Sequence, residues 1–345
     1  MALPRVSVVM ASYNHARFVG RAIASVLGQS YGDLDLTIVD DASTDGTPEA
    51  IEVVRDRRIR FTRAAANRGV AATLNDAIRH SRGEYIAVLN SDDAFLPDKL
   101  RRQVELLDAR ADVGAVFSYP QFIDDDDAPL APAQTFYGDV FSVGNRSRTA
   151  WLARLFAGGN CLCHPSVLIR RNVHDRVGLY DERLAQLHDL DLWLRVLAQH
   201  QIHVLTEPLL QFRIRADAQN ASAFRVDTET RTTWEEMRVL RRFLALDDAS
   251  FDATFAAERR RLAIDAQLPR PQQLAVMALA RRTRASILFG LDVLYDSLGP
   301  QAPGPPFGMA HGELVQLTGR YDLYGIGVAR QLSETAAKDA GPDRR

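Results

Sequence analysis

Long apolar runs are the first thing missing from this chain of 345 residues. No stretch approaches the roughly 18 consecutive apolar residues of a membrane-spanning helix, so no spanning segment is expected. The chain reaches Val6 without a basic leader or a long apolar core, so no secretory signal is expected either. Cysteine is scarce. Cys161 and Cys163 lie too close together in an extended segment to staple anything, and no Cys or His pattern beside them supplies four metal ligands. They read as reduced core residues of a cytoplasmic protein. An excess of one charge is also lacking: 42 Lys and Arg face 44 Asp and Glu. That balance argues against a general nucleic-acid surface, so nucleic acid is not an expected partner. No Gly-x-Gly-x-x-Gly follows a strand, which sets aside a dinucleotide-dependent oxidoreductase. There is no internal repeat.

What is present is an alternation of short apolar runs and amphipathic stretches. Val6–Met10 reads as a strand, and Ala11-Ser12-Tyr13-Asn14 as its exit loop. Phe18–Leu27 has the spacing of a helix with one buried face. Leu36–Val39 is a second strand ending in Asp40 and Asp41. Thr47-Pro48-Glu49 carries helix-start signals, namely a capping Thr, Pro at the first position and an acid in the first turn. Ile59–Phe61 is a third strand, and Asn67-Arg68-Gly69 turns into a helix with Ala71, Leu74 and Ile78 on its buried side. Ile86–Leu89 is a strand covered on both faces. This order predicts a mainly parallel, doubly wound α/β sheet.

Beyond Asp93 the pattern is less regular. A helix over Asp98–Asp108, strands at Val113–Phe117, His164–Ile169, Ile202–Leu205 and Leu210–Ile214, and a helix striped by Leu187, Leu190, Trp193, Leu194 and Leu197 are predicted. Residues 120–150 read as loop, and the run Asp124–Asp127 as a solvated turn in preference to a second metal site. Strand signals vanish from about residue 217. Three segments are therefore expected: a sheet-bearing domain at 1–216, a helical extension at 217–332 and a polar tail at 333–345. The extension is rich in arginine near Ile287-Leu288-Phe289, which allows peripheral contact with an anionic membrane as a second use of helices that otherwise need packing partners.

The chemically suggestive point is the strand end Leu89-Asn90-Ser91-Asp92-Asp93. Ligands of open α/β sheets bind beyond the carboxyl ends of the strands. Two adjacent carboxylates repel and are costly to hold together without a cation or a donor-rich ligand. Hard oxygen ligands in small number suit Mg²⁺ or Mn²⁺ bridging to phosphates. A helix cap ahead of Asp98 explains the same two residues equally well.

Four motifs in order decide between these. Val6 to Asn14, Val39-Asp40-Asp41-Ala42-Ser43-Thr44-Asp45-Gly46-Thr47, Asn90-Ser91-Asp92-Asp93 and Asp189-Leu190-Asp191-Leu192-Trp193-Leu194-Arg195 together resemble the family 2 glycosyltransferases. The resemblance spans roughly residues 5–215. It implies a GT-A fold with a mixed sheet and an inverting transfer of sugar from a nucleotide diphosphate sugar to an acceptor hydroxyl, aided by Mn²⁺ or Mg²⁺. Asp93 would be the main metal ligand, and Asp92 would help hold the metal or the donor's sugar and ribose. Ala11 and Tyr13 would line the base pocket, and Asp41 would accept a hydrogen bond from base or ribose. Arg68 is a candidate to take over the phosphate contact of an Arg that this chain lacks at position 74, and a solvated turn explains it equally well. Asp189 would be the general base, kept ionised by the helix dipole, while Asp191 points to another face. His188 and His164 are candidate acceptor contacts. Many relatives carry an acid at position 90, Glu at 188 and Arg at 74, where this chain has Asn90, His188 and Leu74. A glycan or lipid-linked acceptor and a role in polysaccharide or glycoconjugate synthesis follow from the resemblance. The rival readings are a non-catalytic nucleotide-sugar-binding protein and a sugar-phosphate nucleotidyltransferase. The second needs a glycine-rich basic loop after the first strand, which Ala11–Asn14 is not.

Overall fold

The computed structural model describes residues 3–216, 220, 223, 225–297 and 311–323. The stretch 301–308, whose Pro and Gly content reads as a connection, and the tail expected at 333–345 lie outside the described residues. Two compact units are present: Met1–Glu235 with Leu246–Thr254, and Glu236–Ala245 with Phe255–Arg345.

The first unit begins with the predicted alternation. β1 (Val6–Ser12), α1 (Val19–Leu27), β2 (Leu34–Asp40), α2 (Thr47–Glu52), β3 (Ile59–Arg63), α3 (Val70–His80) and β4 (Tyr85–Val88) follow one another. β1, β2, β3 and β4 pair in parallel, and Val6, Val8, Val9 and Met10 are fully buried, as a strand covered on both faces requires. The remaining elements are β5 (Ala94–Phe95), α4 (Lys99–Ala109), β6 (Val113–Ile123), β7 (Pro129–Leu130), α5 (Arg148–Gly158), β8 (Leu168–Arg170), α6 (Arg171–Val177), α7 (His188–Leu197) and β9 (Gln201–Arg213). Sheet order is β3-β2-β1-β4-β8-β6-β9-β5, with β7 beside β6. The parallel run stops at β4, because β8 joins it antiparallel and the far half is mixed.

Several local expectations change. His164–Ser166 is a 3-10 turn and only Leu168–Arg170 is strand. Pro165 has no N–H to give a ladder, and Ser166 Oγ donates to Cys163 O at 2.7 Å, closing the turn. The strands predicted at Ile202–Leu205 and Leu210–Ile214 are one strand, β9, whose register against β6 shifts beside Pro208. Residues 120–123 extend β6 instead of forming loop. Helices α5 and α6 were not anticipated; α5 is capped by Ser147, whose side chain accepts from Ala150 N, and buries Trp151, Leu152 and Leu155. The run Asp124–Asp127 is a turn at the surface, as expected, with Asp126 and Asp127 exposed, but its carboxylates are all engaged. Asp124 closes the β6–β7 connection by accepting from Ala128 N at 2.9 Å, and the other three carboxylates reach Ala216, Arg17, Arg21 and Arg213.

Beyond residue 216 the described chain is helical, with α8 (Val226–Leu240), α9 (Asp248–Arg261), α10 (Arg270–Arg281), α11 (Arg284–Ser297) and α12 (His311–Gly319). The sheet-bearing unit runs past 216 because Glu235 on α8 is tied to the 185–187 loop. In the second unit, Phe243 meets Phe255 edge-on at 5.8 Å and Arg241 bridges Asp292 and Asp296 at 2.5 and 2.8 Å. Arg281 pairs with Glu236 at 3.0 Å, and Ile287 and Phe289 are buried, so these residues do not form a free basic and apolar face. No helix among the described residues is long and apolar enough to cross a membrane.

One glycine is required by close approach. A Cβ on Gly83 would lie 2.4 Å from Ser7 N and 2.8 Å from Val6 C, against backbone that cannot move without disturbing β1. Gly83→Ala should destabilise the sheet-bearing unit by about 1–3 kcal/mol, the usual cost of overpacking. A urea midpoint equal to wild type would show that β1 and the 83–84 approach can spread at no cost.

Candidate active site

The carboxyl ends of β1, β2 and β4 meet at one cavity of about 840 Å³. Ala11, Tyr13, His15, Asp41, Asn67, Gly69, Asn90, Asp92, Asp93, Asn160, His164, His188, Asp189 and Arg215 are among the residues lining it. Of the expected site residues, Arg68 alone does not line this cavity.

The β2 end is held by its own acids. Asp40 is fully buried and accepts from Ser12 Oγ at 3.0 Å and from Ser43 N at 2.8 Å, so it knits two loops together. Asp41 accepts from Arg68 N and Gly69 N, both at 2.9 Å, one on each oxygen. Its carboxylate anchors the turn into α3, where Gly69 takes a φ of 86°. Each oxygen keeps a lone pair for a ligand. Arg68 itself turns away and pairs with Asp76, one α3 turn beyond Ala72 and within easy reach of the long side chain. Tyr13 is 44% exposed, with its ring available at the cavity.

The two acids after β4 differ. Asp93 is 2% exposed and both its oxygens are engaged: Oδ1 accepts from Arg213 N and Oδ2 from Asn90 Nδ2, each at 2.8 Å. Burial, then the neighbouring Asp92 charge, pushes its pKa well above the carboxylate range. Asp93 is therefore a buried acid with one donor on each oxygen. Asn90 supplies the donor that a second acid there could not. Asp92 is the opener of the two, at 8% exposure, with the His15 ring 3.8 Å from its Oδ2.

His15 was missed by sequence reasoning. Its Nδ1 lies 2.8 Å from Ser91 Oγ and its Nε2 lies 3.0 Å from Arg215 Nη1. Burial lowers its pKa, so the ring is neutral. Arg215 can only donate, which assigns the proton to Nδ1 and leaves Nε2 as acceptor. Arg215 is fixed in turn: its N donates to Asn220 Oδ1 at 2.8 Å, and its guanidinium lies over Phe18 at 5.2 Å. The only hint in sequence was Arg213-Ile214-Arg215 closing an apolar run, where alternation sends the two arginines to the same side.

Asp189 opens α7. Oδ1 accepts from Leu190 N at 2.7 Å and Oδ2 from Asn160 Nδ2 at 2.6 Å. The helix terminus was expected to keep this acid ionised. Although its surface still touches the cavity, surrounding atoms desolvate it, and burial raises its pKa above the ordinary value. Asp191 faces elsewhere, as expected: it is 2% exposed and pairs with Arg195 at 2.9 Å. Arg195 also donates to Leu179 O at 2.7 Å, locking α7 to the segment after α6. His164 Nε2 is 2.9 Å from the Tyr180 hydroxyl, and its pKa lies well below the usual histidine range through burial and then the neighbouring His188. The His188 ring stands edge-on to His164 at 5.3 Å, and neither of its nitrogens has a hydrogen-bond partner among the described residues.

Glu235 was also missed. Its carboxylate, 1% exposed, accepts from Ala185 N, Gln186 N and Leu187 N, each at 2.8 Å. Those three residues line the cavity immediately before Asp189. Glu235→Ala leaves three backbone donors without their acceptor. The expected result is a kcat lowered by up to about 10²-fold from misplacement alone, with nucleotide affinity kept. Unchanged kcat would mean that the 185–187 loop holds its shape unaided.

With this geometry in hand, the comparisons are coherent. The family model described as Glycosyl transferase family 2 matches residues 7–178. An uncharacterized glycosyltransferase of Methanocaldococcus jannaschii is 30% identical over 221 residues, 62% of this chain and 72% of that one. The putative teichuronic acid biosynthesis glycosyltransferase TuaG of Bacillus subtilis is 29% identical over 247 residues, 69% of this chain and 90% of that one. Among solved structures, S. aureus TarS 1-349 in complex with UDP-GlcNAc aligns with a TM-score of 0.60 at 17% identity, covering 84% of this chain and 80% of that one. The mannosyltransferase PcManGT from Pyrobaculum calidifontis, in complex with GDP-Man and Mn2+, aligns with a TM-score of 0.53 at 19% identity, covering 98% and 87%. The chain therefore belongs to glycosyl transferase family 2, and its sheet and helices form a GT-A α/β fold with a helical C-terminal region.

Proposed function

We propose that this protein is an inverting glycosyltransferase that moves a sugar from a nucleoside diphosphate sugar to an acceptor hydroxyl of a glycan or lipid-linked glycan. The observation that carries this reading is the single cavity onto which Asp92 and Asp189 both open. Support for the donor class comes from the names of the structural neighbours, which hold UDP-GlcNAc, UDP and GDP-Man. Relatives named for teichuronic acid and succinoglycan biosynthesis support a growing polysaccharide as acceptor. The two free, buried cysteines support a reducing, cytoplasmic compartment.

The donor set fits a small divalent cation. Asp92 offers a carboxylate at the cavity, and Asp93 behind it is held by two hydrogen bonds. One carboxylate plus substrate phosphates is how Mg²⁺ and Mn²⁺ are usually bound. Asp92 is thus the better main ligand, with Asp93 in support, reversing the order the motif suggested. When bound, the cation would neutralise charge developing on the leaving diphosphate. Arg215, instead of Arg68, is the side chain suited to a second contact with that diphosphate. Tyr13 offers a face for the base, and Asp41 a free lone pair for base or ribose.

At the acceptor, the hydroxyl oxygen attacks the anomeric carbon as the bond to the diphosphate breaks on the opposite face. The hydroxyl proton goes to Asp189. Its raised pKa makes it a stronger base once ionised, and Asn160 and Leu190 hold the carboxylate in one orientation. His164 and His188 both line the cavity and are suited to pack against an acceptor there, although the His188 ring nitrogens are themselves enclosed.

Three outcomes test this. In a thermal-shift screen of nucleoside diphosphates, one or more should stabilise the protein in the presence of Mn²⁺, and Asp92→Asn should remove most of that shift; identical shifts with and without Mn²⁺ would count against a cation at Asp92. Asp189→Asn should lower transfer by about 10²–10⁴-fold with nucleotide binding kept, whereas loss of nucleotide binding would make Asp189 a donor residue. Asp191→Asn is the comparison, with a smaller effect on turnover. The pH dependence has a definite sign. Asp189 must be ionised to accept a proton, so kcat/KM falls as pH drops through its raised pKa. That acid limb should therefore lie above the roughly 3.9 of an ordinary Asp; a limb at or below that value would separate Asp189 from the base.

A further inference from the structure

Arg213 ends β9 with its guanidinium almost wholly enclosed, its side chain 2% exposed. Its backbone N donates to Asp93 Oδ1 and its Nε to Asp92 O, both at 2.8 Å. Nη1 donates to Asp124 O, and Nη2 to Asp127 Oδ1 at 2.5 Å. The guanidinium also lies over the Phe18 ring at 4.6 Å. One residue therefore grips both members of the carboxylate pair and the acidic β6–β7 turn.

A guanidinium buried in this way needs a counter-charge. Four carboxylates are near enough to act on it: Asp92, Asp93, Asp125 and, in direct contact, Asp127. The first two are those the reaction needs. We propose that Asp127 is a positioning residue for Asp92 and Asp93, acting through Arg213: it neutralises the guanidinium from the side away from the cavity and keeps Nη2 off the Asp92 carboxylate. Its backbone has a φ of 68°, a left-handed value that Asp tolerates better than most residues. Arg21 pairs with the same Asp127 oxygen and fixes the acid from α1. Without Asp127, Arg213 turns its free N–H toward Asp92 and competes with a cation for that oxygen. The acidic run that reads as a solvated turn is, on this account, the electrostatic backing of the site.

The inference rests on the reading that Asp92 takes the divalent cation. The test is isothermal titration of UDP and GDP into the full chain across a Mn²⁺ series, with wild type, Asp127→Ala, Asp127→Asn and Asp126→Ala. Asp126 belongs to the same turn and pairs with exposed Arg17, and it serves as the control. Loss of a residue that orients a metal ligand typically costs 10–100-fold in metal affinity. Asp127→Ala should raise the Mn²⁺ midpoint for nucleotide binding by about that factor, with wild-type nucleotide affinity restored at saturating Mn²⁺. A purely structural lesion would not be rescued by metal. Asp127→Asn keeps an oxygen for Nη2 without the charge, and should raise the midpoint less; it carries the test if the alanine variant does not fold. Asp126→Ala should leave the midpoint at wild type. A wild-type midpoint in both Asp127 variants overturns the proposal alone. Wild-type nucleotide binding that ignores Mn²⁺ overturns the cation reading first, before any variant is compared, and the proposal with it.

Discussion

Two adjacent carboxylates at the end of a buried strand must be held against their own repulsion, and much of the first unit is arranged around that demand. β4 brings Asp92 and Asp93 to the cavity, and β9 returns beside them with Arg213 and Arg215. Asp93 absorbs the cost by losing its exposure and accepting two hydrogen bonds, and its pKa rises accordingly. Asp92 is left as the more exposed carboxylate of the two. The division of labour comes from burial, since the two side chains are chemically identical.

Much of the fold was legible because its first half obeys simple periodicities. Strands covered on both faces read as apolar runs, and the helices between them carry one buried stripe. From β6 onward the sheet is mixed, and the signals weaken for physical reasons. Pro165 breaks what looks like a strand, while Pro208 splits a real one into two apparent pieces. α5 escaped notice because its buried residues, Trp151, Leu152 and Leu155, are interrupted by Arg148 and Arg154, which blur the stripe.

The site was legible where a motif marks it and opaque where a contact makes it. Ala11, Tyr13, Asp41, Asp92, Asp93, His164, His188 and Asp189 all line the cavity, because each lies at or just past a strand end or opens a helix or 3-10 turn beside it. Arg68 does not, since Asp76 lies within reach on the following helix and captures it. His15, Arg215 and Glu235 have no local signature. Their roles come from partners 76, 200 and 48–50 positions away along the chain, and only the fold brings such pairs together.

Asp189 illustrates how two correct principles can point in opposite directions. A helix N-terminus favours the charged carboxylate by typically 0.3–1 kcal/mol at exposed positions. Desolvation of a carboxylate enclosed by protein can shift its pKa by several units, each worth about 1.4 kcal/mol. The larger effect wins, and burial raises the Asp189 pKa from its ordinary value despite Leu190 N and Asn160 Nδ2 donating to it. That outcome suits proton transfer better than the one expected from the helix alone. A carboxylate held fully ionised by donors is a weak base; one made reluctant to carry its charge gains from taking the acceptor's proton as the glycosidic bond forms. On the proposed mechanism, the same enclosure that makes the residue costly to ionise makes it useful, and the donors of Asn160 and Leu190 hold it in place.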